Sequence, residues 1–433
     1  MSTKKSIYKT LTIESNDGLR KIDLRRGAIA FEYFEDIFSP ILTAKLKIIS
    51  GGNVVKGETG DIQSIYNGLP LRGGERVVIK IAGNSNSNPG LDFSKSAEKY
   101  FYVSSITDVI VDGDRESFTL HLTSREAITN ETSRVPIKFK PSLRISDSVN
   151  IILKDYLRTK KIGTIDTTKN TYGFIGNMRK PFTILTSLAS KSVPENSGSA
   201  KAGFVFYEDK DGFQFRSLDK LFSQNPAAKY YVKDVSDNFD DNARKINNDF
   251  KILNYYTDRN QNLIEKLRIG SYASQHTFFD PSDFSVSTKV FKVSETSISK
   301  KLKLPLLSQN SDITLGDVPT RNMTFIKDIG TLDSNISKKL NNDPTEYQSQ
   351  SIMRYNTIFT QNMSIMVSSN TNLKAGDCIE CYFPLLTSGD KKEYDREQSG
   401  LYIIKELCHH FDSDSSYTSL KLIRDVFGSK IKR

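Results

Sequence analysis

Apolar and polar residues alternate with period 2 through most of the first 130 residues, which predicts strands rather than helices. The series runs through Ile22 and Leu24, then Ala28-Ile29-Ala30-Phe31, then 43–49, then Val77-Val78-Ile79-Lys80-Ile81. Residues 101–111 and 117–123 predict a hairpin across the turn signal Asp112-Gly113-Asp114. A glycine-rich insert at 51–67 interrupts the series, and Asn84 to Gly90 reads as an exposed loop. Together these strands suggest one closed or nearly closed β-barrel.

From about residue 135 to 230 the period changes. Val149, Ile152, Leu153, Tyr156 and Leu157 line one face of a helix that Ser146 or Asp147 could cap. Pro181 suits the first turn of a second helix, with Leu185, Leu188 and Ala189 facing inward. Phe204-Val205-Phe206-Tyr207 and Phe213-Gln214-Phe215 form a hairpin around Asp211-Gly212. This segment predicts a small α+β domain on the outside of the molecule, whose deletion should leave the barrels foldable. Beyond it, Leu263-Ile264 and Leu267 suggest a short helix, Phe278-Phe279 ends a strand, and 302–313 reads as a linker or arm. Asp343-Pro344 opens a short helix through Ser351.

The last strands repeat the first. Leu71-Arg72-Gly73-Gly74-Glu75-Arg76-Val77 returns as Leu373-Lys374-Ala375-Gly376-Asp377-Cys378-Ile379. Phe101-Tyr102-Val103 returns as Leu401-Tyr402-Ile403, and Leu120-His121-Leu122 as Leu420-Lys421-Leu422. The offset holds near-constant at about 300 residues, which alternation alone does not produce. Upstream, Phe34-Glu35-Asp36-Ile37-Phe38-Ser39 matches Tyr355-Asn356-Thr357-Ile358-Phe359-Thr360, and Leu42/Ala44/Leu46 then aligns with Met363/Ile365/Val367. The expected fold is mainly β with α+β insertions. It comprises a tube-like β-barrel at 1–134, a small α+β domain at 135–245, and a homologous barrel with helical and extended insertions at 246–433.

Composition narrows the function. A chain of 433 residues exceeds one ordinary core. No window approaches 18 consecutive apolar residues, so no membrane insertion is expected, and residues 1–8 carry no apolar run of a secretory signal. Three cysteines do not make a disulfide scaffold, which fits folding in a reducing cytoplasm. The net charge of +10 raises nucleic-acid binding as an alternative. Its basic residues are dispersed, however, among acidic ones such as Asp234, Asp237, Asp240 and Asp241, and end in the tail Lys430-Ile431-Lys432-Arg433.

Candidate chemistry is sparse. Cys378, Cys381, Cys408, His409 and His410 carry metal-ligating atoms, but positions three apart or adjacent on a strand face opposite ways. Gly73-Gly74 lacks the Gly-Lys-Ser/Thr of a phosphate loop, His121 and His276 are isolated, and no Gly-x-Ser-x-Gly elbow occurs. Tyr100, Phe101 and Tyr102 beside Lys99 could stack on bases, but in an alternating strand they fit a barrel core. No catalytic, cofactor-binding or metal residue is expected, and no enzyme.

Several stretches together resemble one family, the baseplate hub proteins of T-even-type contractile-tailed phages, in the longer cyanophage-like form. They are Tyr33-Phe34-Glu35-Asp36-Ile37, Asn67 to Arg76, Ser124 to Thr132, Tyr172 to Phe182, Ala189 to Ser192, Met353 to Asn356, Ser399 to Lys405 and Thr418 to Asp425. The resemblance implies a structural virion protein of the tail baseplate, assembled in the host cytoplasm. It implies a homotrimer whose six barrels adapt a sixfold tail tube to a threefold spike, around a channel for DNA ejection. The implied partners are the tail spike, the tail-tube-side baseplate proteins and the tape-measure protein, with DNA only in transit.

Overall fold

The computed structural model describes residues 5–51, 54–56, 60–85, 88–113, 115–195, 202–232, 248–258, 262–293, 304–308, 312–328, 330, 341–385 and 394–426. The basic tail at 430–433 and the acidic cluster at 234–241 lie outside them.

The first unit is built from β1 (Ile7–Glu14), β2 (Lys21–Asp23), β3 (Ala28–Asp36) and β4 (Thr43–Gly51). After a small excursion, β5 (Val55–Lys56) and β6 (Ile62–Gln63), come β7 (Arg76–Ser85), β8 (Asn88–Asp92), β9 (Phe101–Asp112) and β10 (Arg115–Ser124). Hydrogen-bonded neighbours follow the order β1-β7-β9-β10-β4-β3. The alternation places Leu11, Ile13, Leu46, Ile48, Val77, Ile79, Phe118 and Leu120 in the interior, all fully buried. Asn84–Ser85 and Asn88–Gly90 belong to the paired strands β7 and β8 and not to a free loop. Asn88 is buried there, its Oδ1 accepting from Thr371 Oγ1 at 2.6 Å and its Nδ2 donating to Ser369 Oγ at 3.0 Å. Polar turn composition hid this docking, because it resembles that of a solvated loop.

The middle unit holds two short ladder strands, β11 (Lys138–Phe139) and β13 (Phe174–Ile175). Its main sheet is β12 (Ile162–Ile165), β14 (Phe204–Asp209) and β15 (Gly212–Ser217), with helices Ile145–Ile151 and Pro181–Lys191. The first helix starts a residue earlier than Ser146, with Arg144 as N-cap and no side-chain capping bond. Ser146 Oγ instead receives the N–H of Thr168. A wider turn at Ile152–Tyr156 continues that helix, and Ile152, Leu153 and Leu157 join its core with Phe204, Phe213 and Phe215. Pro181 is at the first helical position, as its spacing predicts.

The second barrel uses β16 (Ala228–Val232), β17 (Lys251–Asp258), β21 (Gln361–Ser368), β22 (Cys378–Tyr382), β23 (Gly400–Asp412) and β24 (Ser416–Arg424). The ring β23-β22-β16-β17-β21-β24 closes through β23–β24 pairing. β16 falls in the stretch assigned from sequence to the α+β domain, yet it completes this barrel by lying parallel to both β22 and β17. Between β17 and β21 stand helix Leu263–Arg268, a small sheet of β18 (Ala273–Phe279), β19 (Val286–Lys292) and β20 (Arg321–Ile326), and helix Gln348–Thr357. Asp343 caps the turn at Pro344–Glu346 through Thr345 N–H, as the sequence indicates.

The two barrels share their strand order. β7-β9-β10-β4-β3 corresponds to β22-β23-β24-β21-β17, antiparallel throughout. Beyond these five strands the units differ: β1 runs antiparallel to β7, whereas β16 runs parallel to β22 and closes its ring on β17. A β-bulge is also shared. Ser104 is the unpaired residue of β9 opposite His121/Leu122, and Lys405 is the unpaired residue of β23 opposite Lys421/Leu422. Two upstream matches need correction. Leu46 and Ile365 face Leu120 and Leu420, so Ala44 corresponds to Met363, two residues from the alignment of the sequences. Phe34–Asp36 lie in a strand, whereas Tyr355–Thr357 end a helix. Ile37-Phe38 and Ile358-Phe359 also stand at different distances from the strands that follow, β4 starting at Thr43 and β21 at Gln361, but Phe38 packs on Phe359 with centroids 5.6 Å apart.

Candidate functional site at the barrel junction

β3 of the first barrel pairs antiparallel with β23 of the second, from Ala30↔Asp412 to Asp36↔Glu406. This seam fuses the two interiors into one apolar cluster. Phe31 stacks on Phe411 with centroids 6.3 Å apart, and Tyr33 stacks on His409 at 6.0 Å. His409 is fully buried, bonds Thr418 Oγ1 at 3.0 Å, and has its pKa pushed down to about 3 by burial and then by Lys210. It is therefore a neutral packing residue. On the other face, His410 lies 3.1 Å from Glu32 and 3.3 Å from Asp412.

Glu35 is where three units meet. It is almost completely buried and accepts from Tyr33 Oη at 2.6 Å, Lys210 N–H at 2.8 Å and Ala375 N–H at 2.7 Å. Burial and Asp209 push its pKa up to about 8, against these donors and the Lys210 charge. Lys210 caps the carbonyls of Thr371 and Asn372 in the second barrel. Glu208 accepts from Leu42 N–H at 3.3 Å and from Ser124 Oγ at 2.6 Å in the first barrel. Lys161 lies 2.5 Å from Glu208 and 2.6 Å from Glu126, with both carboxylates buried. Burial opposes its charge, but Glu208 and Glu126 hold its pKa above the ordinary value. The end of the β14–β15 hairpin is thus wedged between the barrels, with Glu208 bonded to the first and Lys210 to the second.

The metal-ligating residues are dispersed. Cys378 packs in the cluster of Val205, Leu218 and Ile423, whereas Cys381 points into the barrel interior. Burial pushes both thiols up, Cys378 to about 12. Cys408 is half-buried, and among the described residues no group of three His, Cys, Asp or Glu could hold a metal ion. His121 shares a 2.9 Å bond with Thr107, and His276 sits between Ser274 and Ser349. Phe101 is barrel core. The residues that sequence reasoning missed are Glu35, Glu208 and Lys210. The sequence signal for Glu208 and Lys210 is a run of charges at the turn of an otherwise apolar hairpin, and Glu35 stands near the end of β3 with no local signal of its own.

No family model matches the chain. Over 398 residues it is 23% identical to the "Probable baseplate hub protein gp334" of Vibrio phage KVP40, covering 87% of each chain. A tail protein from Neisseria meningitidis MC58 has the same fold over 97% of both chains, at a TM-score of 0.51 and 11% identity. The 43 kDa tail protein of prophage MuSo2 from Shewanella oneidensis matches 96% of this chain and 100% of its own, at a TM-score of 0.50 and 9% identity. The fold is the one seen in these two tail proteins. The chain is similar to baseplate hub proteins, as the resemblance of its motifs implies.

Proposed function

We propose that this chain is the central hub of a phage tail baseplate. In this reading it is a homotrimer whose three chains supply six barrels, a ring that matches a sixfold tube on one side and a threefold spike on the other. The channel through the ring lets DNA leave. The chain binds the spike, the tube-side baseplate proteins and the tape-measure protein, and catalyses nothing itself. The α+β unit lies outside the ring as its own core, with β16 counted to the second barrel. Assembly takes place in the host cytoplasm.

The observation that carries this reading is the duplicated barrel, with a common strand order and a common bulge at Ser104 and Lys405. A ring needs matching copies of an interface, and two copies per chain convert threefold into near-sixfold symmetry. Native mass spectrometry of the purified full chain is the test. Three chain masses are expected, with six lobes around a hole in electron-microscopic top views. A particle of two or four chains would refute the symmetry argument.

A further inference from the structure

The seam inside the chain has a counterpart that the chain does not form. β3 stands next to β4 as β17 stands next to β21, and β23 stands next to β24 as β9 stands next to β10. The seam joins β3 to the second half of β23. Its repeat would join β17 to the second half of β9, and among the described residues these two do not pair.

Among the described residues both halves are open edges. β9 meets β7 only at Phe101 and Tyr102, so from Ser105 onward it pairs with β10 alone. β17 meets β16 only at Lys251 and Ile252, so from Leu253 onward it pairs with β21 alone. The edges are also apolar: Ile110 is 61%, Val111 72% and Tyr256 67% exposed. Val111 faces Glu116 as Phe411 faces Ser416, so it occupies the place of Phe411. Tyr255 faces Ile365 as Phe31 faces Leu46, so it occupies the place of Phe31. In the seam those two phenylalanines are 1% and 0% exposed. A long exposed apolar edge is a template for strand pairing, and soluble proteins cover or blunt such edges.

We propose that the second half of β9 in one chain pairs antiparallel with β17 of a second copy, repeating between chains the seam that β23 and β3 make within one. The proposal rests on the trimeric reading above and names the strands that build it. The contact is heterologous, so each added chain presents the same open edge again until the ring closes. The β17 residues Tyr255 and Tyr256 then cover Val109, Ile110 and Val111, and the paired edges gain the main-chain hydrogen bonds they lack.

The test is disulfide trapping in the full chain. Ile110→Cys and Tyr256→Cys together, after mild oxidation, should give a denaturing-gel ladder that ends at three chains, while either single variant gives none. In parallel, Tyr256→Asp alters a side chain exposed within the chain, so its circular dichroism, and its melting under dissociating conditions, should match the wild type. The concentration for half-assembly should rise at least about 30-fold, as for loss of an interface hot spot. A wild-type trimer that neither cross-links nor weakens would overturn this pairing and leave the trimeric hub standing. A chain that stays monomeric up to its solubility limit would overturn both. A ladder running past three chains would overturn ring closure.

Discussion

The two barrels carry the same strand order and the same bulge, yet equivalent edges meet different surroundings. The outer half of β23 is covered by β3, and its apolar residues are sealed. Among the described residues nothing pairs with the outer half of β9 beyond β10, and Ile110 and Val111 are exposed. Nothing in the local sequence of β9 explains an apolar exposed edge, but its position in the repeat does. A duplicated domain teaches by its mismatches: where one copy is complete and the other is not, the missing partner has the chemistry of the one already present.

The sharpest way to break this comparison is to truncate equivalent residues. Phe411→Ala should destabilise the isolated chain by about 3–5 kcal/mol, as for a buried phenylalanine in a close-packed seam. Val111→Ala, at the same place in the other barrel, should change it by less than about 0.5 kcal/mol, as for an exposed site. Urea titrations of both variants under dissociating conditions measure the pair. Equal effects would mean that β9 already has a cover in the chain.

A second substitution tests whether the hairpin fastens the first barrel. Lys161 is the cation between Glu126 and Glu208, both at 0% side-chain exposure. Lys161→Met leaves two buried carboxylates without their counter-charge, and should cost about 3 kcal/mol. Because Glu208 also holds Leu42 and Ser124, hydrogen exchange should rise first at the starts of β4 and the end of β10. Protection lost evenly over both barrels would contradict a fastening role.

Much of this architecture was legible in the residues, and the limits have physical reasons. Alternation marks β3, β4, β7 and β24, and Asp211-Gly212 marks the β14–β15 turn. Alternation does not fix register, because a two-residue slip keeps every side chain on its face. That is why Leu42 was aligned with Met363 where Ala44 belongs. β16 escaped because Ala228–Val232 is short and pairs in parallel with Cys378–Tyr382, far along the chain. The seam escaped for a related reason: an edge strand and an inner strand bury the same alternate residues, so pairing between barrels leaves no local trace. The junction residues Glu35, Glu208 and Lys210 are charged, and charged residues are read as surface unless a fold brings them together.

The next effect is a dependence on pH. Glu35 has its pKa raised from the ordinary 4.5 to about 8 in the fold. The folded state therefore holds this proton more tightly than the unfolded state. Its contribution is full below about pH 4.5 and is lost as pH rises toward 8. Glu35→Gln removes the titration, so the melting temperature of the variant should fall less between pH 5 and 8 than that of the wild type. Carboxylates other than the neighbouring Asp209 act on both proteins alike, which makes the difference in slope the readout of this pair. Parallel slopes would show that Glu35 stays ionised through this range.

The smallest effect concerns the polar rim of the seam. Glu32 and His410 are 3.1 Å apart and partly exposed, with Asp412 on the other imidazole nitrogen. They face each other across β3 and β23. Their counterparts at the open edge are Tyr256 and Ile110, which carry no charge. If main-chain pairing and the Phe31–Phe411 stack hold the seam, this polar pair matters little. A double-mutant cycle of Glu32→Gln and His410→Gln should then give a coupling of about 0–1 kcal/mol, as for partly exposed pairs. A coupling well above that would make the Glu32–His410 pair a determinant of the seam. The uncharged edges of β9 and β17 would then lack what joins the barrels, and the equivalence between the two interfaces would fail.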